Sequence, residues 1–148
     1  MQPLICKSFA KLNLCLHILN QRKDGYHNLE SIFCIVDFFD TLSFQINNSS
    51  IINLKTNSTE INTTDNLITK AYNILHDLYN ISGVDIFLNK KIPIGSGLGG
   101  GSSNAATTLL ALNKIFKLNI SKNNLVKISE EIGADVPFFI HGGAAYVK

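Results

Sequence analysis

Residues 95–101 contain five glycines in seven positions, and a helical pattern follows them directly. Glycine has no Cβ and readily adopts positive φ, so this backbone can approach another group closely. Ser102 or Ser103 is a natural N-cap for the following helix. Because the first turn of a helix presents free N–H groups and a partial positive charge, the stretch predicts a cradle for phosphate groups.

Three phosphate-loop patterns compete for this stretch, and the neighbouring residues separate them. The dinucleotide fingerprint needs a carboxylate about twenty positions further on, where residues 119–122 read Asn-Ile-Ser-Lys. The P-loop requires a lysine at the position that Gly101 occupies. The remaining pattern is a proline, then Gly-Leu-Gly, then a hydroxyl pair and small residues, within 93–106. A flexible linker fits less well, because linkers are not followed by an N-cap and an amphipathic helix.

The composition indicates one globular domain. A chain of 148 residues with 45% hydrophobic residues can bury a core, which argues against disorder. The net charge of +2 is too small to indicate a nucleic-acid or membrane surface, and no apolar run is long enough to span a bilayer. We therefore expect no nucleic-acid partner and no membrane association.

Cys6, Cys15 and Cys34 are an odd number of cysteines without CxxC spacing or a matching histidine pair. Reduced thiols fit this pattern better than a disulfide framework or a zinc site. The expected location is the cytoplasm of a bacterial-type cell, or a plastid if a transit peptide has been removed.

Alternating patterns predict strands in the first third of the chain. In residues 9–19 one face is apolar and predicted to be buried, and the other is mostly polar: Leu12, Leu14, Leu16 and Ile18 against Lys11, Asn13, Cys15 and His17. Further short strands are predicted at 31–38, 42–46 and 50–55, with a hairpin-like loop at 47–50. An antiparallel arrangement is expected for this region.

Helical periodicity dominates the rest of the chain. The first helix begins with Asp65 as N-cap and ends before Gly83. A strand at 84–88 then leads into the glycine loop, and the second helix occupies 103–116. A third helix runs from a Ser121 cap to a stop at Gly133, and an apolar strand is expected after Asp135.

Several polar residues allow either a functional or a plain interpretation. Lys90 and Lys91 could meet phosphate or simply be solvated, and Lys11 could be an ordinary surface lysine. A buried Asp135 would need a cation or a donor beside it, but backbone N–H groups at a helix end could also satisfy it. Tyr26 and His27 follow an Asp-Gly turn signal, where planar groups could stack on a base or merely be tolerated.

Five separate stretches together resemble the GHMP kinases, which phosphorylate small-molecule alcohols with ATP. They are residues 10–14, 24–27, 65–68, 93–106 and 133–137. The combination of Gly-Leu-Gly-Gly-Gly-Ser-Ser-Asn-Ala-Ala with Asp-Gly-Tyr-His is more specific than the general family motif. The resemblance implies an α+β fold, the GHMP-kinase N-terminal domain. This is a ribosomal-protein-like β-α-β two-layer fold with a mixed sheet and helices on one face.

The resemblance also implies an activity: ATP-dependent phosphorylation of the 2-hydroxyl of 4-diphosphocytidyl-2-C-methyl-D-erythritol, in non-mevalonate isoprenoid precursor synthesis. It implies Asp135 as the catalytic base, Lys11 as its cationic neighbour, Tyr26 and His27 on the cytosine, and Asn13 on the methylerythritol end. The implied ATP site comprises Pro93, Gly95, Gly97, Leu98, Gly99, Gly100, Gly101, Ser102, Ser103, Asn104, Asn66 and Lys90. Mg²⁺ is expected with ATP, held mostly by phosphates and water, because no carboxylate cluster is evident.

The domain organisation follows from the same resemblance. GHMP kinases are longer and have a second domain, so residues 1–148 are expected to be the ATP-binding and catalytic N-terminal domain without the C-terminal one. The chain is then expected to self-associate through the face left by that domain. Two other interpretations remain open: a catalytically silent nucleotide-binding module, and another GHMP enzyme such as homoserine or mevalonate kinase, against which Tyr26 and His27 argue.

Overall fold

The computed structural model describes residues 2–21 and 27–147, with side chains for 2–15 and 30–146. Within these residues a five-stranded mixed sheet packs with four helices, which confirms the predicted α+β class. The strands are β1 (Leu4–Gln21), β2 (His27–Ile46), β3 (Ile52–Thr56), β4 (Val84–Asn89) and β5 (Ala144–Val147). The helices are α1 (Leu67–Tyr79), α2 (Gly100–Ile115), α3 (Lys122–Glu130) and α4 (Val136–His141).

The sheet has the order β1-β2-β4-β3, and β5 pairs with β2 beside β4. β2 is antiparallel to β1, β4 and β5, whereas β3 is parallel to β4. The antiparallel expectation therefore holds for β1 and β2 and is wrong for β3. The loop at 47–50 is not a hairpin, because β4 lies between the two strands that it joins.

The strands predicted at 31–38 and 42–46 are parts of one strand, β2. Phe9 pairs with Phe39 and the next residue, Ala10, pairs with Val36, so two extra residues of β2 lie opposite this step. Such a bulge bends a strand without ending its ladder. The sequence between the two predicted strands therefore marks a bend rather than a turn.

At Lys11, Leu12 and Leu14 the burial of β1 is the reverse of the prediction, although Asn13, on the lysine side, is exposed as well. Lys11 is 4% exposed, whereas Leu12 and Leu14 are 42% and 63% exposed. α2 packs against β1 and covers the lysine side. Alternation identifies the two faces of a strand but not the face that a helix will cover. The side chains of Leu16 and Ile18 lie outside the described residues.

Two of the predicted helix starts are wrong, and the predicted end of the first helix is confirmed. The N-cap of α1 is Asn66 rather than Asp65, because the Asn66 side chain accepts bonds from the backbone N–H groups of residues 68 and 69. α1 ends at Tyr79, before Gly83 as predicted, and its C-cap residue Asn80 takes the left-handed conformation. α2 begins at Gly100 with Gly99 as N-cap, so its first turn lies inside the glycine stretch.

The region after α2 is helical to a greater extent than predicted. Ser121 caps α3, as expected, but α3 ends at Glu130, before Gly133. The apolar segment after Asp135 is the short helix α4 rather than a strand. Pro137 lies in its first turn, where a missing N–H costs nothing. Proline at that position is a helix-start signal that outweighs the apolar run.

The core lies between the sheet and the helices. α1 and α2 pack against each other, α2 contacts β1 and β2, and α1 contacts β3. β4 alternates buried and exposed side chains, as predicted, and points its buried side at the helices. The chain runs from the end of β4 through residues 93–99, which we call the glycine loop, into the start of α2.

Candidate functional site

The glycine loop joins β4 to α2 and lies against β1. The backbone N–H of Lys11 donates to the carbonyl of Leu98 at 2.9 Å. Gly95, Gly97 and Gly99 have φ values of 71°, 75° and 70°, a conformation that only glycine adopts readily. The backbone thus takes a positive φ at three of the five residues that precede α2.

The loop has an open half and a packed half. A Cβ placed on Gly95 or Gly97 would meet no atom within 4 Å. A Cβ on Gly99 would lie 2.9 Å from Cζ of Phe139, and one on Gly100 would lie 2.8 Å from Nζ of Lys90. Gly99 and Gly100 therefore make room for protein atoms, whereas Gly95 and Gly97 face open space.

The start of α2 presents unpaired N–H donors. The first intrahelical bond runs from the N–H of Ser103 to the carbonyl of Gly99, at 2.9 Å. The N–H groups of residues 100–102 precede it and have no intrahelical acceptor. Gly99 has no side chain to cap them, and the first turn of α2 contains no acidic residue. The donors and the positive end of the helix dipole form a site for an anion.

A cavity of about 960 Å³ lies in front of these donors. This volume is at the upper end of the range for small-molecule sites. The start of α1 and the 60–66 segment form its other walls. Most residues of the predicted nucleotide site line it, together with Asp135: Asn66, Lys90, Pro93, Gly95, Gly97, Leu98, Gly99, Gly100, Gly101, Ser102 and Asn104.

Lys11 and Asp135 form an ion pair beside this cavity. Nζ of Lys11 lies 3.6 Å from Oδ2 of Asp135, donates to Oδ1 of Asn13 at 2.7 Å, and lies 3.8 Å from the ring centroid of Phe33. Lys11 is buried, whereas 36% of the Asp135 side chain is exposed. Asp135 is the N-cap residue of α4, but its side chain makes no capping bond. One face of the carboxylate is thus open to the cavity.

Asp40 is a buried carboxylate behind the loop that sequence reasoning missed. It is 0% exposed and accepts hydrogen bonds from Nζ of Lys90 at 2.6 Å and from the N–H groups of Lys91 and Ile92 at 2.7 and 2.8 Å. A fourth donor is Nδ2 of Asn104, at 3.0 Å. A sequence signal was present: Asp40 occupies the same face of β2 as the buried Leu42 and Phe44, where an unpaired carboxylate would be costly.

Ser103 and Asn104 belong to the same buried network. The hydroxyl of Ser8 donates to the hydroxyl of Ser103, and Nδ2 of Asn104 donates to the hydroxyl of Ser8, each at 2.8 Å. Ser103 is outside the cavity lining, and Asn104 reaches the cavity while holding Asp40. The hydroxyl pair after the glycines is thus divided: Ser102 lines the cavity and Ser103 lies behind it.

Three predicted residues concern the acceptor. Asn13 is exposed beside Lys11. Tyr26 lies outside the described residues, as does the side chain of His27, whose backbone begins β2. Their assignment to cytosine therefore stays a prediction.

Known proteins are similar to this chain over most of its length. Residues 66–143 match the model of the GHMP kinases N terminal domain. The chain is 49% identical over 144 residues, 96% of its length, to 4-diphosphocytidyl-2-C-methyl-D-erythritol kinase of Prochlorococcus marinus, and covers 46% of that protein. It is 47% identical to the protein of the same name from Francisella philomiragia, of which it covers 52%. The chain thus spans about half the length of these curated relatives.

Solved structures have the same fold. A crystal structure of 4-(cytidine 5'-diphospho)-2C-methyl-D-erythritol kinase superposes with a TM-score of 0.85 at 34% identity, over 97% of this chain and 51% of that one. A mevalonate kinase from Methanococcus jannaschii superposes with a TM-score of 0.76 at 17% identity, over 99% of this chain and 54% of that one. At that identity the second likeness concerns the fold alone.

Proposed function

The chain belongs to the family of GHMP kinase N-terminal domains, and from this premise we propose that it is the ATP-binding and catalytic part of a small-molecule kinase. The proposed reaction is phosphorylation of the 2-hydroxyl of 4-diphosphocytidyl-2-C-methyl-D-erythritol by ATP. One observation carries the proposal: the free N–H groups of α2 and the open carboxylate of Asp135 face the same cavity. A phosphate site and a proton acceptor within one cavity are what transfer to an alcohol requires.

The residues present fit ATP, which supplies the phosphoryl group when bound. The N–H groups at the start of α2 donate to phosphate oxygens, and Lys90 adds a positive charge at the cavity wall. Asp135 accepts the proton of the acceptor hydroxyl, and the hydroxyl oxygen then bonds to phosphorus as the bond to the leaving ADP breaks. The ammonium of Lys11, 3.6 Å from Oδ2 of Asp135, helps to hold this carboxylate at the cavity wall.

Mg²⁺ is proposed as the partner of ATP without a dedicated protein site. In residues 2–21 and 27–147, no three His, Cys, Asp or Glu side chains converge on a point that could hold a metal ion. A Mg²⁺ ion bound mostly by phosphates and water would be consistent with this donor set.

The acceptor proposal rests on the names of the relatives and on Asn13. This amide is held by Lys11 at the exposed end of the ion pair, so an acceptor beside Asp135 would meet it. Tyr26 and His27 are proposed to contact the cytosine. The cytoplasm is proposed as the compartment, on the cysteine usage of the sequence. The described residues contain no helix long and apolar enough to cross a membrane.

Self-association is proposed through the outer face of β1. Leu12 and Leu14 are exposed there, near the exposed Ile32 and Tyr146. Because clustered exposed apolar side chains favour burial against another surface, we expect a second copy to cover this face when the chain is alone. Sedimentation equilibrium should give a mass above that of the monomer, and Leu14→Lys should lower it. A monomeric unaltered chain would contradict this proposal.

The kinase activity can be tested in a chimera. In it the chain replaces the matching part of the Prochlorococcus relative, so that the remainder of a full-length protein is present. Transfer of labelled phosphate from ATP should occur with the cytidyl acceptor and not with homoserine or mevalonate. ATP binding without transfer to any acceptor would favour the silent nucleotide-binding module, and transfer to another alcohol would favour a different GHMP activity.

A further inference from the structure

Asp40 holds together the two ends of the glycine loop. Its Oδ1 accepts the N–H groups of Lys91 and Ile92, in the segment that leads into the loop. Its Oδ2 accepts Nζ of Lys90 and Nδ2 of Asn104, which lies one turn inside α2. A single buried carboxylate on β2 thus connects the end of β4 with the start of α2.

The same carboxylate holds a cation at an unfavourable place. The ammonium of Lys90 lies against the first residue of α2, since a Cβ on Gly100 would be 2.8 Å from Nζ. A positive charge at a helix N-terminus is repelled by the helix dipole. Asp40 is fully buried, and its Oδ2 lies 2.6 Å from Nζ of Lys90. This carboxylate offsets the repulsion and keeps Lys90 beside the unpaired N–H groups. The missing side chain at Gly100 provides the space.

We propose that Asp40 is a positioning residue for the phosphates of the nucleotide. It acts through Lys90: it fixes the ammonium beside the free N–H groups of α2, so that one anion meets both sets of donors. This inference rests on the proposed function, since it concerns the ATP site. Because the groups involved are cationic and N–H donors, they contribute to binding phosphate and not the nucleoside.

The test measures binding of ATP and of adenosine to the 148-residue chain by calorimetry. Asp40→Asn keeps the size of the side chain and an oxygen for the two backbone N–H groups, but removes the charge that holds Lys90. Lys90→Met removes the ammonium itself. Each substitution should raise the Kd of ATP about tenfold or more, because charge-assisted bonds are lost. The Kd of adenosine should stay within about twofold.

A double variant and a distant control separate positioning from stability. If Asp40 acts through Lys90, the variant with both substitutions should bind ATP about as well as Lys90→Met alone, within about twofold. Val84→Ala, buried at the far end of β4 from Lys90, is the control. It should lower the melting temperature without changing the ratio of ATP to adenosine affinity.

Several outcomes would overturn the proposal. One is an equal loss of ATP and adenosine affinity in Asp40→Asn, which would indicate general loosening of the fold. Another is an unchanged ATP affinity in Lys90→Met, which decides the matter even if Asp40→Asn does not fold. Failure of the unaltered chain to bind ATP would overturn the proposed function and this inference together. ATP binding that is insensitive to these substitutions would overturn the inference alone.

Discussion

Two lysine–aspartate pairs flank the glycine loop, and they differ in how completely the carboxylate is satisfied. Asp40 is fully buried and accepts four hydrogen bonds, with Lys90 at 2.6 Å. Asp135 is 36% exposed and lies 3.6 Å from Lys11, which also donates to Asn13. The two pairs have the same residue types and opposite surroundings.

This difference teaches which pair can do chemistry. A carboxylate whose oxygens all accept hydrogen bonds has no lone pair free for a substrate proton. Moving it away from its partners would also leave a buried charge unpaired, which costs free energy. A carboxylate with one partner and an open face can accept a proton from a bound hydroxyl. Asp40 therefore suits positioning and Asp135 suits the role of general base, although the charges are paired in both.

The largest expected effect comes from breaking the closed pair. Asp40→Ala should lower the free energy of unfolding by about 3–5 kcal/mol, because it leaves the buried ammonium of Lys90 without its counter-ion. Urea denaturation of the 148-residue chain measures this change. Asp135→Ala is the matched control and should cost less, because Asp135 is partly exposed and the ammonium of Lys11 keeps its bond to Asn13 and its place over the ring of Phe33. Equal losses in the two variants would remove the distinction between the pairs.

Breaking the open pair should affect turnover instead. Asp135→Asn should lower kcat of the chimera by about 10²–10⁴-fold, which is the usual contribution of a general base. The Kd of ATP should change by less than about tenfold, because the N–H groups of α2 are untouched. Rapid-quench kinetics and calorimetry provide the two values. Normal turnover in this variant would end the assignment of Asp135 as the base.

The loop glycines offer a comparison at constant backbone strain. Gly95 and Gly99 have nearly the same φ, 71° and 70°, so alanine meets the same unfavourable φ at both. Only at Gly99 would the added Cβ collide, with Phe139 and Lys11. Gly99→Ala should therefore destabilise the chain by about 1–3 kcal/mol more than Gly95→Ala. If denaturation shows no difference, Phe139 and Lys11 can move aside to accommodate the added Cβ, and the packing at Gly99 is not rigid.

The smallest effect is expected at Lys91. It follows Lys90 directly, but its side chain is exposed and lies 5.9 Å from the ring centroid of Phe39. Lys91→Met should change stability by under about 0.5 kcal/mol, as surface substitutions usually do. ATP affinity should stay within about twofold. A large loss of ATP affinity, measured beside Lys90→Met, would move the phosphate-binding charge to Lys91.

Local patterns were readable where neighbouring residues decide the conformation. β4 and α3 begin as predicted, because alternation and a serine cap act within a few residues. The start of α2 was misplaced by a few residues, since glycine competes with serine for the cap and the wider packing decides. The segment after Asp135 was predicted as a strand because an apolar run of this length suits either a strand or a helix.

The covered face of β1 could not be read from alternation. Lys11 is buried because α2 covers its side and because Asp135, Asn13 and Phe33 surround its ammonium. Asn13 is two residues away on the same strand, but Asp135, Phe33 and α2 are distant in sequence, so no short window along the chain contains them. Asp40 was missed for the same reason: its donors come from the segment that follows β4 and from α2.

The sequence by itself determined that the glycine-rich stretch at residues 95–101 leads into a helix, and that the chain is of the α+β class. Glycine content, alternation and helical periodicity are local properties, and each acts through the backbone of a few consecutive residues. The tertiary structure alone decided which glycines are open, which serine lines the cavity, and which aspartate is saturated with donors. These properties depend on burial and on distant partners, such as Asn104 for Asp40, 64 positions away, and Ser8 for Ser103, 95 positions away, which only the folded chain brings together.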